Sequence, residues 1–251
     1  MALIPKSHPR AKSLLIREKL VDGFDDGIVA KEGLLAHGRG EAFDYLLGEK
    51  TTVLAKKSIQ AAAALLLLAK NPVISVNGNI AALSAKEIVT LARIVDAKIE
   101  VNIFYSSDTR KRNILKVLKK NGAKSVLGFD RKNQTKIPKL DSARRIVDKN
   151  GIFSADVILV PIEDGDRTIA LKKFGKKIIT FDLNPFSRTA QTALRGSAGL
   201  SRDQQPPGAG VDGPPGWLPG RRPKAPARWQ VPPRGVLHPR PARRGPRHRP
   251  Q

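Results

Sequence analysis

The chain contains no cysteine and a single methionine among its 251 residues. Without cysteine there is no disulfide framework, no cysteine–zinc centre and no thiol nucleophile, and a reducing compartment fits. Of the histidines, only His8 and His37 precede residue 191, and they are not at ligand spacing, so no protein-held metal is expected. Long apolar runs are also missing. The longest, Ala61 to Ala69, falls well short of the roughly 20 residues of a membrane span and reads as part of a buried helix. The start, Met1-Ala2-Leu3-Ile4-Pro5-Lys6, lacks the apolar core and cleavage site of a signal peptide. The expectation is a cytoplasmic protein with no membrane partner. Phosphate-loop and nucleophile-elbow motifs are absent too. Gly38-Arg39-Gly40 imitates part of a dinucleotide fingerprint, but Phe43 stands at the third glycine position and no strand precedes it.

Acidic residues are scarce: 22 Asp+Glu face 46 Lys+Arg, a net charge of +24. Such a balance ordinarily points to polyanion partners. Here the chain changes character near residue 193. The last 61 residues hold 13 of the 19 prolines, both tryptophans and a single lysine, Lys224, among 12 basic residues. No helical or strand period survives there, so residues 194–251 are expected to be a disordered Pro/Arg/Gly-rich tail. It reads either as an arginine-rich nucleic-acid or membrane-surface arm, or as an out-of-frame translation of a GC-rich gene. The abrupt exchange of lysine for arginine favours the second. Nucleic acid is then not a partner.

The body alternates helical and strand patterns. Ser7 can cap a helix starting near Pro9, with Leu14, Val21 and Phe24 as its apolar stripe. Lys31 to Leu47 reads as two short helices broken at His37-Gly38-Arg39-Gly40, and Thr51 or Thr52 can cap a third reaching about Lys70. Its Leu65-Leu66-Leu67-Leu68 run is apolar all round and is expected in the core. Strands are expected at Val73–Val76, Ile99–Phe104, Ser125–Phe129, Asp156–Val160 and Lys177–Phe181, with helices between most of them. Near-continuous apolar strands alternating with helices imply a parallel sheet covered on both faces. The predicted fold is α/β: a Rossmann-like doubly wound sheet (71–193) with an N-terminal helical lobe (1–70).

In such sheets ligands bind beyond the carboxyl ends of the strands. That rule selects Asn77-Gly78-Asn79, Glu163 to Arg167, and Asp182 to Arg188. Each could equally be a structural turn, but three on one edge favour a shared pocket. Glu163, Asp164 and Asp166 could assist a magnesium ion held mainly by substrate phosphates, or could simply cap the next helix. His37 and Arg39 could reach a phosphate site, or mark only a helix break.

Five segments carry a more specific signal. They are Ile4-Pro5-Lys6-Ser7-His8-Pro9-Arg10, Gly33 to Leu46 around Ala36-His37-Gly38-Arg39-Gly40-Glu41, Asn71 to Asn79, Glu163-Asp164-Gly165-Asp166-Arg167-Thr168, and Asp182-Leu183-Asn184-Pro185 with Ser187-Arg188-Thr189-Ala190. In order, over some 190 residues, they resemble the archaeal phosphopantothenate synthetases, or 4-phosphopantoate–β-alanine ligases. The resemblance implies a homodimeric, Rossmann-like enzyme of coenzyme A biosynthesis. It would join 4-phosphopantoate to β-alanine with ATP, through an acyl-adenylate, releasing AMP and pyrophosphate. It also implies an ATP site at Arg17, Arg39, Asp182, Leu183, Asn184, Ser187, Arg188 and Thr189. Magnesium would ride mainly on the ATP phosphates.

Residue type and position add expectations for the other substrates. Lys6, Asn77, Asn79 and Arg167 are candidates for binding them, with Lys6, His37 and the amides after Asn79 as candidates for the phosphopantoate phosphate. Asp164, Asp166 or His37 would deprotonate the β-alanine ammonium. Two arginines suit a reaction in which a carboxylate attacks the α-phosphate, because permanent guanidinium charge offsets the repulsion of two anions. One departure stands out. Where the family continues with an apolar strand, an acidic–Asn turn and a closing helix, this chain has Leu194 onward. The competing assignments are a polyanion-binding protein acting through the tail and a nicotinamide-dependent oxidoreductase, the latter disfavoured by the missing glycine fingerprint.

Overall fold

The computed structural model describes residues 4–5, 7–162 and 164–193. Lys6, Glu163 and the expected disordered tail lie outside them. Three helices come first: α1 (Ala11–Asp25), α2 (Lys31–Leu47) and α3 (Val53–Leu67). The sheet then begins with β1 (Pro72–Val76), α4 (Gly78–Ile94), β2 (Lys98–Val101) and α5 (Asp108–Lys120). An inserted ribbon follows, β3 (Gln134–Lys136) pairing antiparallel with β4 (Ile146–Asp148), then an irregular turn at Lys149–Phe153. The chain returns through β5 (Val157–Leu159), α6 (Gly165–Lys173), β6 (Lys177–Ile179) and the short α7 (Arg188–Thr192).

The four parallel strands run in the order β2-β1-β5-β6. Successive side chains of a strand face opposite sides, and the burial follows that period. Ile74, Val76, Val157, Leu159 and Ile179 join the core under α1, α3, α4 and α5. Val73, Ile158, Val160 and Ile178 join a second core under α6 and the ribbon. The sheet is therefore doubly wound, as the strand pattern predicted. Its winding direction reverses between β1 and β5, where such folds open a crevice.

Several local expectations differ. Lys31–Leu47 is one helix, not two. Each glycine costs it about 1 kcal/mol in propensity, but Gly33, Ala36 and Gly40 share one face and let the helix pack close. A methyl at Gly33 would sit 2.4 Å from Asn79 Oδ1, and one at Gly40 would sit 3.0 Å from Leu183 Cβ. In α1 the position before the first helical residue is Arg10 rather than Ser7, with no side-chain cap, and Val21 is exposed while Leu20 and Gly23 are buried. The leucine run of α3 is not all core. Leu66 is 3% exposed, but Leu67 and Leu68 are 62% and 83% exposed, because only one side of α3 meets the sheet. Thr52 caps that helix, accepting from Ala55 N at 3.1 Å. The expected strand at Ser125–Phe129 reduces to one bridge, Leu127 to Glu100. Gly128, at φ 100°, turns the chain away immediately.

The ribbon is fastened to β2 by polar side chains. Glu100 is fully buried and accepts from Asp148 N at 3.0 Å and Ile152 N at 2.7 Å. Asn102, two residues on, donates to Ile146 O at 2.9 Å and Arg144 O at 3.3 Å. Burial pushes the Glu100 carboxyl up to about 7, although the Ile152 and Asp148 amides and the charge of Arg167 pull the other way. The unfolded chain releases this proton near the ordinary 4.5. Below that value both states are protonated and ionisation costs nothing. Between 4.5 and about 7 the folded state loses stability as pH rises, by about 3 kcal/mol in all, and above that the loss is complete. Glu100→Gln stays neutral throughout. In urea unfolding at several pH values, the stability of the wild type minus that of Glu100→Gln should therefore fall across this window. A flat difference would show a Glu100 with ordinary acidity.

Candidate active site

Every parallel strand delivers polar residues to the same edge. Beyond their carboxyl ends lies a cleft of about 550 Å³. β1 supplies Asn77 and α4 supplies Gly78 and Asn79; β5 leads to Ile162 and Asp164, and β6 to Asp182, Asn184 and Ser187. Helix α2 closes one side with Gly33, Ala36, Arg39 and Gly40.

The turns are rigid for identifiable reasons. Asn77 caps α4, its Oδ1 accepting from Ile80 N at 3.1 Å, while its Nδ2 donates to Pro161 O and Ile162 O at 3.0 and 2.9 Å. One side chain thus ties β1 to β5 at the reversal point. Gly78 admits no side chain, since a methyl would lie 2.3 Å from Ile28 O. Asn79 Nδ2 donates to Gly33 O at 2.9 Å, joining α4 to α2. At β6, Asp182 accepts from Asn184 N at 2.9 Å and from the Ser187 hydroxyl. Ser187 also caps α7, accepting from Ala190 N at 2.9 Å. Ile162 holds φ at 50°, a conformation worth about 1–3 kcal/mol of strain for a β-branched residue, and it lines the cleft.

The sequence-predicted residues divide into two groups. Arg39, Asn77, Asn79, Asp164, Asp182, Asn184, Ser187, Arg188 and Thr189 line the cleft together. The others sit elsewhere. Arg17 forms an ion pair with Glu41 at 2.8 Å. His37 is buried in the same cluster, and burial lowers its pKa against the pull of Glu41. Leu183 packs on Gly40. Asp166 pairs with Arg188 at 2.8 Å on the surface. Arg167 is fully buried beneath the cleft, both terminal nitrogens donating to Ser75 Oγ at 3.2 Å. A guanidinium inside the fold cannot meet a substrate directly.

Two cleft arginines escaped the sequence reading, Arg110 and Arg144. Arg144 lies between β3 and β4. It pairs with Asp164 at 3.1 Å and donates to Asn102 O at 3.2 Å. Its burial, with the charge of Arg167, pushes its pKa down to about 9, so it stays a cation at neutral pH. The available signal was Glu100 and Asn102, polar at alternate positions of an otherwise apolar strand. Such a strand face needs a polar cover.

Among the described residues no cluster of three or more His, Cys, Asp and Glu could hold a metal, and no helix is long and apolar enough to cross a membrane. Asp164 and Asp182, the cleft carboxylates nearest the strand ends, are both engaged by protein donors.

Comparisons with known proteins converge. The family profile described as phosphopantothenate/pantothenate synthetase matches residues 54–195. The chain is 54% identical over 195 residues to a 4-phosphopantoate–β-alanine ligase of Thermococcus onnurineus, covering 77% of this chain and 74% of that protein. Identity to the protein of the same name from Thermococcus kodakarensis is the same over the same spans. For that of Methanosarcina mazei it is 54% over 193 residues, 77% and 75% of the two chains.

Asp164 holds two structural tasks at once, capping α6 through Arg167 N at 2.9 Å and compensating Arg144. Asp164→Ala should therefore cost about 2–4 kcal/mol in urea unfolding, the cap and the stranded buried cation together. Asp164→Asn should recover about 1 kcal/mol, the cap alone. Equal losses in the two variants would mean that the cap contributes nothing.

Proposed function

Because the chain belongs to the phosphopantothenate/pantothenate synthetase family, we propose that it is a 4-phosphopantoate–β-alanine ligase, making 4′-phosphopantothenate for coenzyme A biosynthesis. The observation that carries this is 54% identity, over 193 to 195 residues, to three ligases of that name.

ATP is the co-substrate. The nucleotide occupies the β6 end of the cleft, on Asp182, Asn184, Ser187, Arg188 and Thr189, with Arg39 facing its phosphates from α2. The geometry supports this because these residues line one cleft. Asp182 is already oriented by Asn184 N and the Ser187 hydroxyl, which suits an acceptor for ribose hydroxyls. Among the described residues Arg39 has no ion pair, so its charge is available. The substrate carboxylate attacks the α-phosphorus, pyrophosphate leaves, and the β-alanine amine then displaces AMP from the acyl-adenylate. Arg39 offsets charge on the phosphoryl centre. Of the three candidate bases Asp164 alone lines the cleft, and it takes the ammonium proton. Magnesium travels on the triphosphate, because the engaged carboxylates offer no cage of their own.

Among the described residues, those up to 70 belong to the helical lobe and those from 71 to 193 to the sheet-bearing core. A second copy covers the exposed apolar residues of the lobe, including Leu35, Leu46, Leu54 and Leu68, which are 71%, 82%, 68% and 83% exposed. Singly exposed leucines are ordinary, whereas several on one lobe mark an interaction surface. Arg17, which does not line the cleft, acts in nucleotide binding only with the dimer formed.

The purified chain should release AMP only when both 4-phosphopantoate and β-alanine are present; ADP release would instead indicate a phosphate-activated acyl intermediate. Arg39→Ala should lower turnover about 100- to 1,000-fold, as loss of a transition-state charge partner does. Near-normal turnover in that variant would remove Arg39 from the site.

A further inference from the structure

In the turn that leaves β5 every backbone polar group from Val160 to Ile162 is engaged. Val160 N donates to Ile179 O at 2.8 Å, and Val160 O accepts from the Thr180 hydroxyl at 2.8 Å. Pro161 has no N–H, and its carbonyl accepts from Asn77 Nδ2 at 3.0 Å. Ile162 N donates to Phe181 O at 2.8 Å, and Ile162 O accepts from the same Asn77 amide at 2.9 Å. The neighbours on both sides, the ends of β1 and β6, thus grip the end of β5. Two successive carbonyl oxygens that converge on one point repel each other unless a donor stands between them. Asn77 supplies both amide protons there, from a buried side chain whose oxygen caps α4. Its amide nitrogen therefore has no proton left for a substrate.

We propose that Asn77 is a positioning residue for the reaction: its amide holds the Ile162 turn in its strained form and so fixes where Asp164, two residues along, stands in the cleft. The inference rests on the ligase function above, with Asp164 as the base. Three observations support it. First, Ile162 holds φ at 50°, which glycine adopts freely and a β-branched residue does not. Such a residue persists only where its surroundings over-determine it, and the Asn77 amide is the side-chain part of that constraint. Second, the strained residue is placed for use. Ile162 packs on the core under α4 and also lines the cleft, so its backbone cannot relax without moving both. Third, the far side of Asp164 is already fixed. Its oxygens accept from Arg167 N at 2.9 Å and from Arg144 at 3.1 Å, and Gly165 next to it fits so closely that a methyl would lie 2.4 Å from Arg188 Cβ. Those contacts set the direction of the carboxylate, and the turn sets the backbone that carries it. A displacement of about 1 Å can cost a reacting group on the order of 100-fold in rate.

The test compares the full chain with Asn77→Ser and with the double variant Asn77→Ser/Ile162→Gly. Serine still caps α4 but lacks the two amide protons, and glycine takes the positive φ without strain. Asn77→Ser should lower kcat about 10- to 100-fold while KM for each substrate stays within about 3-fold. The double variant should regain at least about 3-fold in kcat, because its turn no longer needs the clamp. Loss of the cap alone would give no such recovery. A raised KM for the acid with kcat intact would make Asn77 a substrate contact and overturn the proposal. A double variant no faster than Asn77→Ser overturns it too. Amide hydrogen exchange at Ile162 is a second readout that needs neither turnover nor a variant. In the wild type this amide should exchange only through global unfolding, and in Asn77→Ser through local opening. Local opening in the wild type overturns the proposal even where Asn77→Ser does not fold. A wild type that protects Ile162 but forms no phosphopantothenate sinks the ligase activity and leaves the clamp standing.

Discussion

Glu100 takes up the two amides that the ribbon would otherwise strand in the core, those of Asp148 and Ile152. The cleft depends on that contact. The ribbon has only three residue pairs of its own, and an isolated two-stranded unit is marginal in water. What holds it is the face of β2, where Glu100 and Asn102 replace the apolar residues that a covered strand normally carries. Gly151 is part of the same fit, since a methyl there would lie 2.1 Å from Glu100 Oε2. The segment anchored in this way presents Arg144 to the cleft. A buried carboxyl near neutrality and a buried guanidinium nearby are costly singly. Together, with Arg167 on Ser75 and Arg144 on Asp164, they form a polar layer that cannot shift without exposing a charge.

The opposite wall is made by subtraction. On α2 the small residues Gly33, Ala36 and Gly40 let the helix backbone reach Asn79 and Leu183, which side chains would prevent. Gly165 plays the same part where α6 meets α7, with a methyl placed 2.4 Å from Arg188 Cβ. Close approach by glycine and fixed distance by buried charge are complementary devices. One brings Arg39 over the strand ends, and the other holds the β2 side in register.

Much of this was legible in the sequence because it depends on local chemistry. Parallel β1, β2, β5 and β6 announced themselves as β-branched runs, and Asn77, Asp164 and Ser187 as polar residues directly after strands, where they now cap helices. What was not legible depends on which partner a residue meets. His37-Gly38-Arg39-Gly40 looks like a break until Leu183 is known to fill the space beside Gly40. The Leu65–Leu68 run looks central until α3 is known to have one covered side. Arg167 looked like a substrate contact and is buried on Ser75, while Arg144, in a stretch given no strand of its own, reaches the cleft. Charge alone does not tell these arginines apart; the strand face opposite each of them does.

The order of cations along the sheet edge carries the chemistry's main constraint. Joining an acid to ATP brings a phosphate, a carboxylate and a triphosphate into one cleft, and their mutual repulsion must be met at separate points. Arg110 and Arg144 at β2 and Arg39 with Arg188 towards β6 form two such points, and β1 and β5 lie between them. There the wall is made of capped helix N-termini, α4 and α6, whose amide ends favour negative charge without adding another mobile cation.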